Sequence, residues 1–181
     1  MKKHNLAFVD IETTGFDPDK HEIIELGVVL VKQVGDKGNQ FEIIEEFEFK
    51  IKPERIEDAD PQALKVNGYD PSQWVFANTL KEAMTIFADK TEGAIFTAHN
   101  LTFDFSFIEH AFKKTGVENK MFYPKLDTIS VAYAKLHDNP QVEKFRLQKL
   151  CEYFGITNER AHTALADAKA TFLVYEKLMK L

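Results

Sequence analysis

Apolar and polar positions alternate with period two in three stretches near the start of the chain and take up helical spacing further on. Leu6, Phe8, Asp10 and Glu12 interleave with Ala7, Val9 and Ile11, which predicts a strand whose even-numbered residues share one face. Residues 23–31 are apolar on both alternating faces, as expected of a central strand. Glu25 interrupts that run, so it either finds a partner beside a site or occupies a neutral edge position. Phe41, Ile43, Phe47, Phe49 and Ile51 alternate with Glu42, Glu46, Glu48 and Lys50, predicting a half-solvated antiparallel strand. These three strands form a meander.

Beyond them, Asp60 and Pro61 read as an N-cap followed by proline at the first helical position, and Asn67-Gly68 as the stop of a short helix. Helical spacing covers residues 80–88, 103–112, 147–154 and about 163–179, while 94–98 and 125–129 read as short strands. The order β-β-β and then α-β-α-β-α predicts an α/β fold. Its mixed sheet, an antiparallel meander followed by parallel strands, is flanked by helices.

Composition narrows the class without choosing a function. The 181 residues, 44% hydrophobic and 29% charged, suit one globular domain over 1–181, with no repeat or linker to divide it. The apolar run Val28 to Val31 is too short to span a membrane, and Met1-Lys2-Lys3 leads into no secretory apolar segment. The single cysteine, Cys151, excludes an internal disulfide framework and suits the cytoplasm. It shares a pattern with Leu147, Leu150 and Phe154, which predicts a buried structural thiol. A net charge of −6 argues against coating nucleic acid through a broad basic surface, although bound cations can supply positive charge locally. Residues 42–60 hold eight acids, so a phosphate backbone is expected to avoid that surface.

Chemistry concentrates at three places. Asp10 and Glu12 leave one face of the first strand side by side, with no basic residue in the run. Paired carboxylates at the end of an apolar strand repel each other, and a hard divalent cation such as Mg²⁺ or Mn²⁺ is a fitting partner. A strand end turning into solvent is the other reading. Asp104 follows His99, Asn100 and Phe103 in the first turn of a helix, with Ile108 and Ala111 on its own inward stripe. Asp167 interrupts the seam formed by Ala164, Thr171, Val174 and Leu178 and has no lysine or arginine four residues away on that seam. It is either a ligand or an acid hydrogen-bonded to backbone. His162 lies five residues earlier, about 140° round a continuous helix from Asp167. The two converge only if His162 precedes the helix, on a lead-in made of Asn158, Glu159, Arg160 and Ala161. There it is placed to take a proton from water.

Asp10-x-Glu12, His99-Asn100-x-x-Phe103-Asp104 and His162-x-x-x-x-Asp167 together resemble the three motifs of the DnaQ-like exonucleases, DEDDh branch. That family includes the proofreading epsilon subunit of DNA polymerase III, RNase T and oligoribonuclease. The resemblance runs from residue 8 to about 175 and implies a ribonuclease H-like fold. It implies a 3′-5′ exonuclease that releases nucleoside 5′-monophosphates from single-stranded DNA or RNA. It also implies two divalent ions, Mg²⁺ or Mn²⁺, held by Asp10, Glu12, Asp104 and Asp167, with His162 as general base. By the same resemblance Thr13, Thr14 and Phe16 contact the terminal nucleotide, and His99, Asn100 and Phe103 shape its pocket. Phe103 serves equally well as a core residue.

Gln62 and Asn67 stand where the epsilon subunit has a Glu and a His near its substrate, so handling of the substrate differs there. Asp127 resembles a frequent family position and is read either as structural or as a support behind the residues of the site. A calcium-binding loop from Asp10 fails, because its twelfth position is His21 and a strand precedes it. A small-nucleotide phosphoesterase or oligoribonuclease and a non-catalytic nucleic-acid-binding module on the same fold are the remaining alternatives. The expected partners are a nucleic-acid 3′ end and a DNA polymerase or other replication or repair protein, with no membrane.

Overall fold

A computed structural model of the chain describes residues 3–34, 39–158 and 161–181. The meander forms as expected: β1 (Leu6–Thr13), β2 (Ile23–Val34) and β3 (Gln40–Lys50) pair antiparallel in sequence. β4 (Ile95–Ala98) joins β1 in parallel, and β5 (Lys125–Asp127) joins β4, giving a five-stranded sheet of order β3-β2-β1-β4-β5. The helices are α1 (Pro61–Asn67), α2 (Leu80–Lys90), α3 (Leu101–Thr115), α4 (Thr128–Leu136), α5 (Leu147–Phe154) and α6 (Ala164–Leu178).

Local signals explain most of these boundaries. Asp60 caps α1 by accepting from the Gln62 N–H, and Gly68 closes that helix in left-handed backbone at φ 66°. Thr79 and Glu82 form a reciprocal capping box at the start of α2.

The two faces of the sheet carry different cores. Ala7, Val9 and Ile11 of β1, with Leu26, Val28 and Leu30 of β2, pack against α2 and α3 through Met84, Phe87, Phe107 and Ile108. Leu6 and Phe8, with Val29 and Val31, pack against Ala168, Phe172 and Tyr175 of α6. α6 also packs on α4 and α5 through Ala170, Val174 and Leu178, and Cys151 is buried in that cluster as expected. Its thiol is pushed up to about 11, chiefly by burial.

Two expectations change in the structure. The alternation in β3 predicts one buried face, but a bulge intervenes: Val31 pairs with Ile43 and Leu30 with Glu45. The extra residue, Ile44, reverses the phase of the strand. Phe41 therefore packs on the α6 side, while Phe47 and Phe49 pack on the α2–α3 side. The second change is at residues 125–129. The strand ends at Asp127, whose carboxylate accepts from the Ile129 and Ser130 N–H groups and so starts α4, a helix the sequence pattern did not separate. Among the described residues no helix is long and apolar enough to cross a membrane.

Candidate functional site

The end of β1 is where both layers meet. Asp10 and Glu12 lie on the α6 face, continuing the line of Leu6 and Phe8. β4 pairs with β1 only as far as Phe8, which leaves the Ile11 N–H without a strand partner on that side. Asp104 takes that place: it is buried in the first turn of α3 and its Oδ1 accepts the Ile11 N–H at 3.2 Å. α3 therefore sets a third carboxylate against the backbone between the first two.

α6 delivers the fourth carboxylate because β2 is hollowed out beneath it. Gly27 pairs with Asp10, and a Cβ on Gly27 would stand 2.2 Å from the Leu165 nitrogen and 2.3 Å from the Ala164 carbonyl carbon. Only a glycine lets the first turn of α6 come so close. Glu25, the cross-strand partner of Glu12, reaches that helix start at 3.4 Å from the Ala164 nitrogen and forms an ion pair with Lys50 at 3.4 Å. The acid in the central strand thus has partners and braces α6.

Asp167 is half-buried, and both its oxygens accept hydrogen bonds: one from the Asn158 side chain, one from the His162 N–H at 3.1 Å. Backbone hydrogen bonding and orientation toward the other carboxylates coexist here. His162 stands outside α6 in left-handed backbone at φ 70°, so the helical offset between it and Asp167 does not arise. Its exposed imidazole has a ring nitrogen within 4.8 Å of carboxylate oxygens of both Glu12 and Asp167. Of the expected lead-in, Glu159 and Arg160 lie outside the described residues. Asn158 contributes a contact that no periodicity in the sequence signals.

Electrostatics mark the cluster as under-neutralised. Burial, then the charges of Asp104, Asp167 and Glu12, push Asp10 well above the usual carboxylate range. Burial also raises Asp104, against the pull of backbone hydrogen bonds from its own N–H and that of Ile11. Glu12 is pushed up to about 7 by burial and the charges of Asp167 and Glu25. Among the described residues no lysine or arginine pairs with any of the four. Clustered carboxylates with an imidazole beside them, all hard or borderline donors, fit a divalent cation such as Mg²⁺ or Mn²⁺.

The predicted substrate contacts divide. Phe16 is 79% exposed and meets Phe103 edge-on at 6.1 Å, forming an aromatic surface by the site, while Phe103 also packs on Phe107. The Thr13 and Thr14 side chains are buried and turn inward: Thr13 donates to the Gly15 carbonyl, and Thr14 Oγ1 accepts from the Glu22 N–H. Asn67 donates to the Thr13 carbonyl and accepts from the Tyr69 N–H, so it braces α1 against the loop after β1, whereas Gln62 is exposed. His99 is half-buried between Thr128 and the Phe145 carbonyl, each 2.9 Å away, and burial lowers its pKa. A carbonyl only accepts, so Nε2 carries a proton. These contacts make His99 a tie between β4, α4 and the segment before α5.

A family model described as "Exonuclease" matches residues 7–175. The chain is 32% identical over 173 residues to a PolC-type DNA polymerase III of Caldanaerobacter subterraneus, covering 94% of this chain and 11% of that protein. It is 31% identical over 175 residues to ribonuclease T of Shewanella denitrificans, covering 90% and 75% respectively. Escherichia coli exonuclease I, solved with a dT13 oligonucleotide, superposes with a TM-score of 0.77 at 19% identity, covering 96% of this chain and 40% of that one. That likeness is one of fold, the ribonuclease H-like fold. The chain spans about a tenth of the PolC-type polymerase and two-fifths of the exonuclease I chain.

Proposed function

The chain belongs to this exonuclease family, of the DnaQ and ribonuclease T type, and from that premise we propose that it hydrolyses nucleic acid from the 3′ end and releases nucleoside 5′-monophosphates. The observation that carries the reading is the convergence of Asp10, Glu12, Asp104 and Asp167 beside the His162 imidazole. These four carboxylates would hold two divalent ions, Mg²⁺ or Mn²⁺. When bound, such ions stabilise negative charge on the attacking and leaving oxygens.

The protein's own groups do the rest. His162 is exposed, and its ring nitrogen, close to the Glu12 and Asp167 carboxylate oxygens, is placed to take a proton from the attacking water. The exposed face of Phe16, backed by Phe103, receives the terminal base by stacking. A base must be unpaired to stack there, so the substrate is a single strand, with DNA put first and RNA second on the likeness to DNA-acting relatives. The likeness to a PolC-type polymerase extends the proposal to action beside a polymerase.

The test uses single-stranded DNA and RNA oligomers labelled at the 5′ end, incubated with Mg²⁺, Mn²⁺ or EDTA. The expected product is a metal-dependent ladder that shortens one nucleotide at a time. Asp167→Ala abolishes it, and His162→Ala lowers kcat by about 10²–10⁴-fold while divalent-cation binding persists. Intact oligomers under both metals would sink the proposal.

A further inference from the structure

Asn100 stands at the N-cap of α3 yet does not cap it. Its backbone is left-handed, φ 70° and ψ 50°, whereas a capping residue needs extended backbone to turn its side chain onto the helix's own N–H groups. The cap comes from another strand. Asp127 Oδ1 accepts the Asn100 N–H at 3.2 Å and the Leu101 N–H at 3.3 Å. The same carboxylate caps its own helix, α4, accepting the Ile129 N–H at 3.3 Å, the Ser130 N–H at 3.1 Å and the Ser130 hydroxyl at 2.6 Å. Burial works against the charge, but the hydrogen bonds from Ser130, Leu101 and Ile129 hold Asp127 below the usual carboxylate range.

We propose that Asp127 is a positioning residue for the substrate: by capping α3 in place of Asn100, it holds residue 100 in left-handed backbone and leaves the Asn100 carboxamide free to hydrogen-bond nucleic acid. The inference rests on the exonuclease reading above. The chemistry of the unused group supports it. Asparagine is among the few residues that accept left-handed backbone at small cost, and its exposed side chain is both donor and acceptor. It sits one helical turn before Asp104. Asp104 is held independently, by the Ile11 N–H and by its burial in α3, so disturbing residue 100 leaves the carboxylate cluster in place.

Asp127→Ser separates the two caps. Serine at the N-cap of α4 still serves that helix, but it is too short to reach across to residues 100 and 101. In the variant, Asn100 relaxes to extended backbone and caps α3 itself. The experiment compares wild type, Asp127→Ser, Asn100→Ala and the double variant on a single-stranded oligomer with Mg²⁺, reading kcat, KM and Tm. Asn100→Ala and Asp127→Ser each raise KM about tenfold with kcat within twofold, and the double variant is no worse than either. Asn100→Ala lowers Tm only by the small cost of alanine in left-handed backbone. A crystal structure of Asp127→Ser shows φ of residue 100 negative.

An unchanged KM in Asp127→Ser, or KM increases that multiply in the double variant, overturns the proposal. A purely structural Asp127 would lower Tm without reproducing the Asn100→Ala pattern. Should Asp127→Ser not fold, Asp127→Asn, which keeps one acceptor oxygen, is read by the same two criteria. A wild type that cleaves nothing defeats the exonuclease reading; a cleaving wild type with the wrong variant pattern defeats only this inference.

Discussion

Asp10 and Glu12 leave one face of β1, and their closeness to Asp104 and Asp167 stores repulsion that a cation relieves. Without divalent ions we expect the cluster to lower the stability of the fold. Asp10→Asn removes one of the repelling charges and should raise the Tm of the EDTA-treated protein by about 2–4 °C, a gain of about 1 kcal/mol, while abolishing hydrolysis. Equal or lower stability in a thermal scan would contradict the electrostatic account. Glu12 adds a pH dependence whose sign is fixed. Its folded pKa rises from an ordinary 4.5 to about 7. Between those values the folded protein keeps a proton that the unfolded chain has released, so stability falls as pH rises. The contribution is full below pH 4.5 and lost above about 7. In EDTA, the Tm of wild type should therefore drop more between these pH values than that of Glu12→Gln, and parallel curves would refute the assignment. The site's geometry has a backbone counterpart. Asn100 and His162 are the non-glycine residues with positive φ among the described residues, and an aspartate accepts the N–H of each, Asp127 and Asp167 respectively. In both loops a fixed acceptor holds left-handed backbone, and at His162 this sets the imidazole beside Glu12 and Asp167.

Among the elements, α6 carries the most consequence, because one helix start brings in both Asp167 and His162. Its seat is Gly27, so Gly27→Ala forces α6 away from β2. We expect a loss of about 1–3 kcal/mol in stability, as for other overpacked contacts, together with weaker Mn²⁺ binding by calorimetry. Unchanged Mn²⁺ affinity would show that the seat does not position Asp167. Nothing in the sequence distinguishes Gly27 from any small residue in an apolar strand. The close approach is a property of a helix some 140 residues away in the chain. The carboxylates were legible for the opposite reason. Asp10 and Glu12 stand two apart on a strand, and Asp104 and Asp167 each interrupt a helical seam, so local period marks them as candidates, and their order along the chain as motifs selects the site over a solvent-facing strand end or a backbone-bonded acid. β3 and α4 mark where local period stops informing. A single bulge residue, Ile44, reverses a strand without altering the spacing of its apolar residues, and Asp127 ends a strand while capping two helices at once. Both outcomes are decided by pairing partners that the pattern does not contain.

At the scale of the whole molecule, the charge has been arranged to leave little general attraction for a polyanion. Part of the cationic complement is taken up within the fold: Lys50 by Glu25, Lys90 by Glu45, Lys114 by Glu22 and Glu54, and Lys169 by Glu46. Glu42 and Glu48 remain exposed along β3, an acidic edge that also discourages pairing with another sheet. With a net charge of −6, the proposed function requires attraction to phosphate to come from cations bound at the carboxylate cluster and from a few contacts at the strand's 3′ end. Binding through stacking and metal ligation releases few counterions. A single strand that neutralises no more than about two phosphates has a salt slope near −1.4, so a fourfold rise in salt costs less than about tenfold in affinity. We therefore expect KM for a single-stranded oligomer at fixed Mg²⁺ to rise less than about tenfold between 50 and 200 mM monovalent salt. We also expect oligomers of a few nucleotides to have nearly the same KM as long ones. A hundredfold rise in KM, or one that grows with oligomer length, would instead reveal an extended phosphate-binding track, and the 3′ end would no longer be the principal point of recognition.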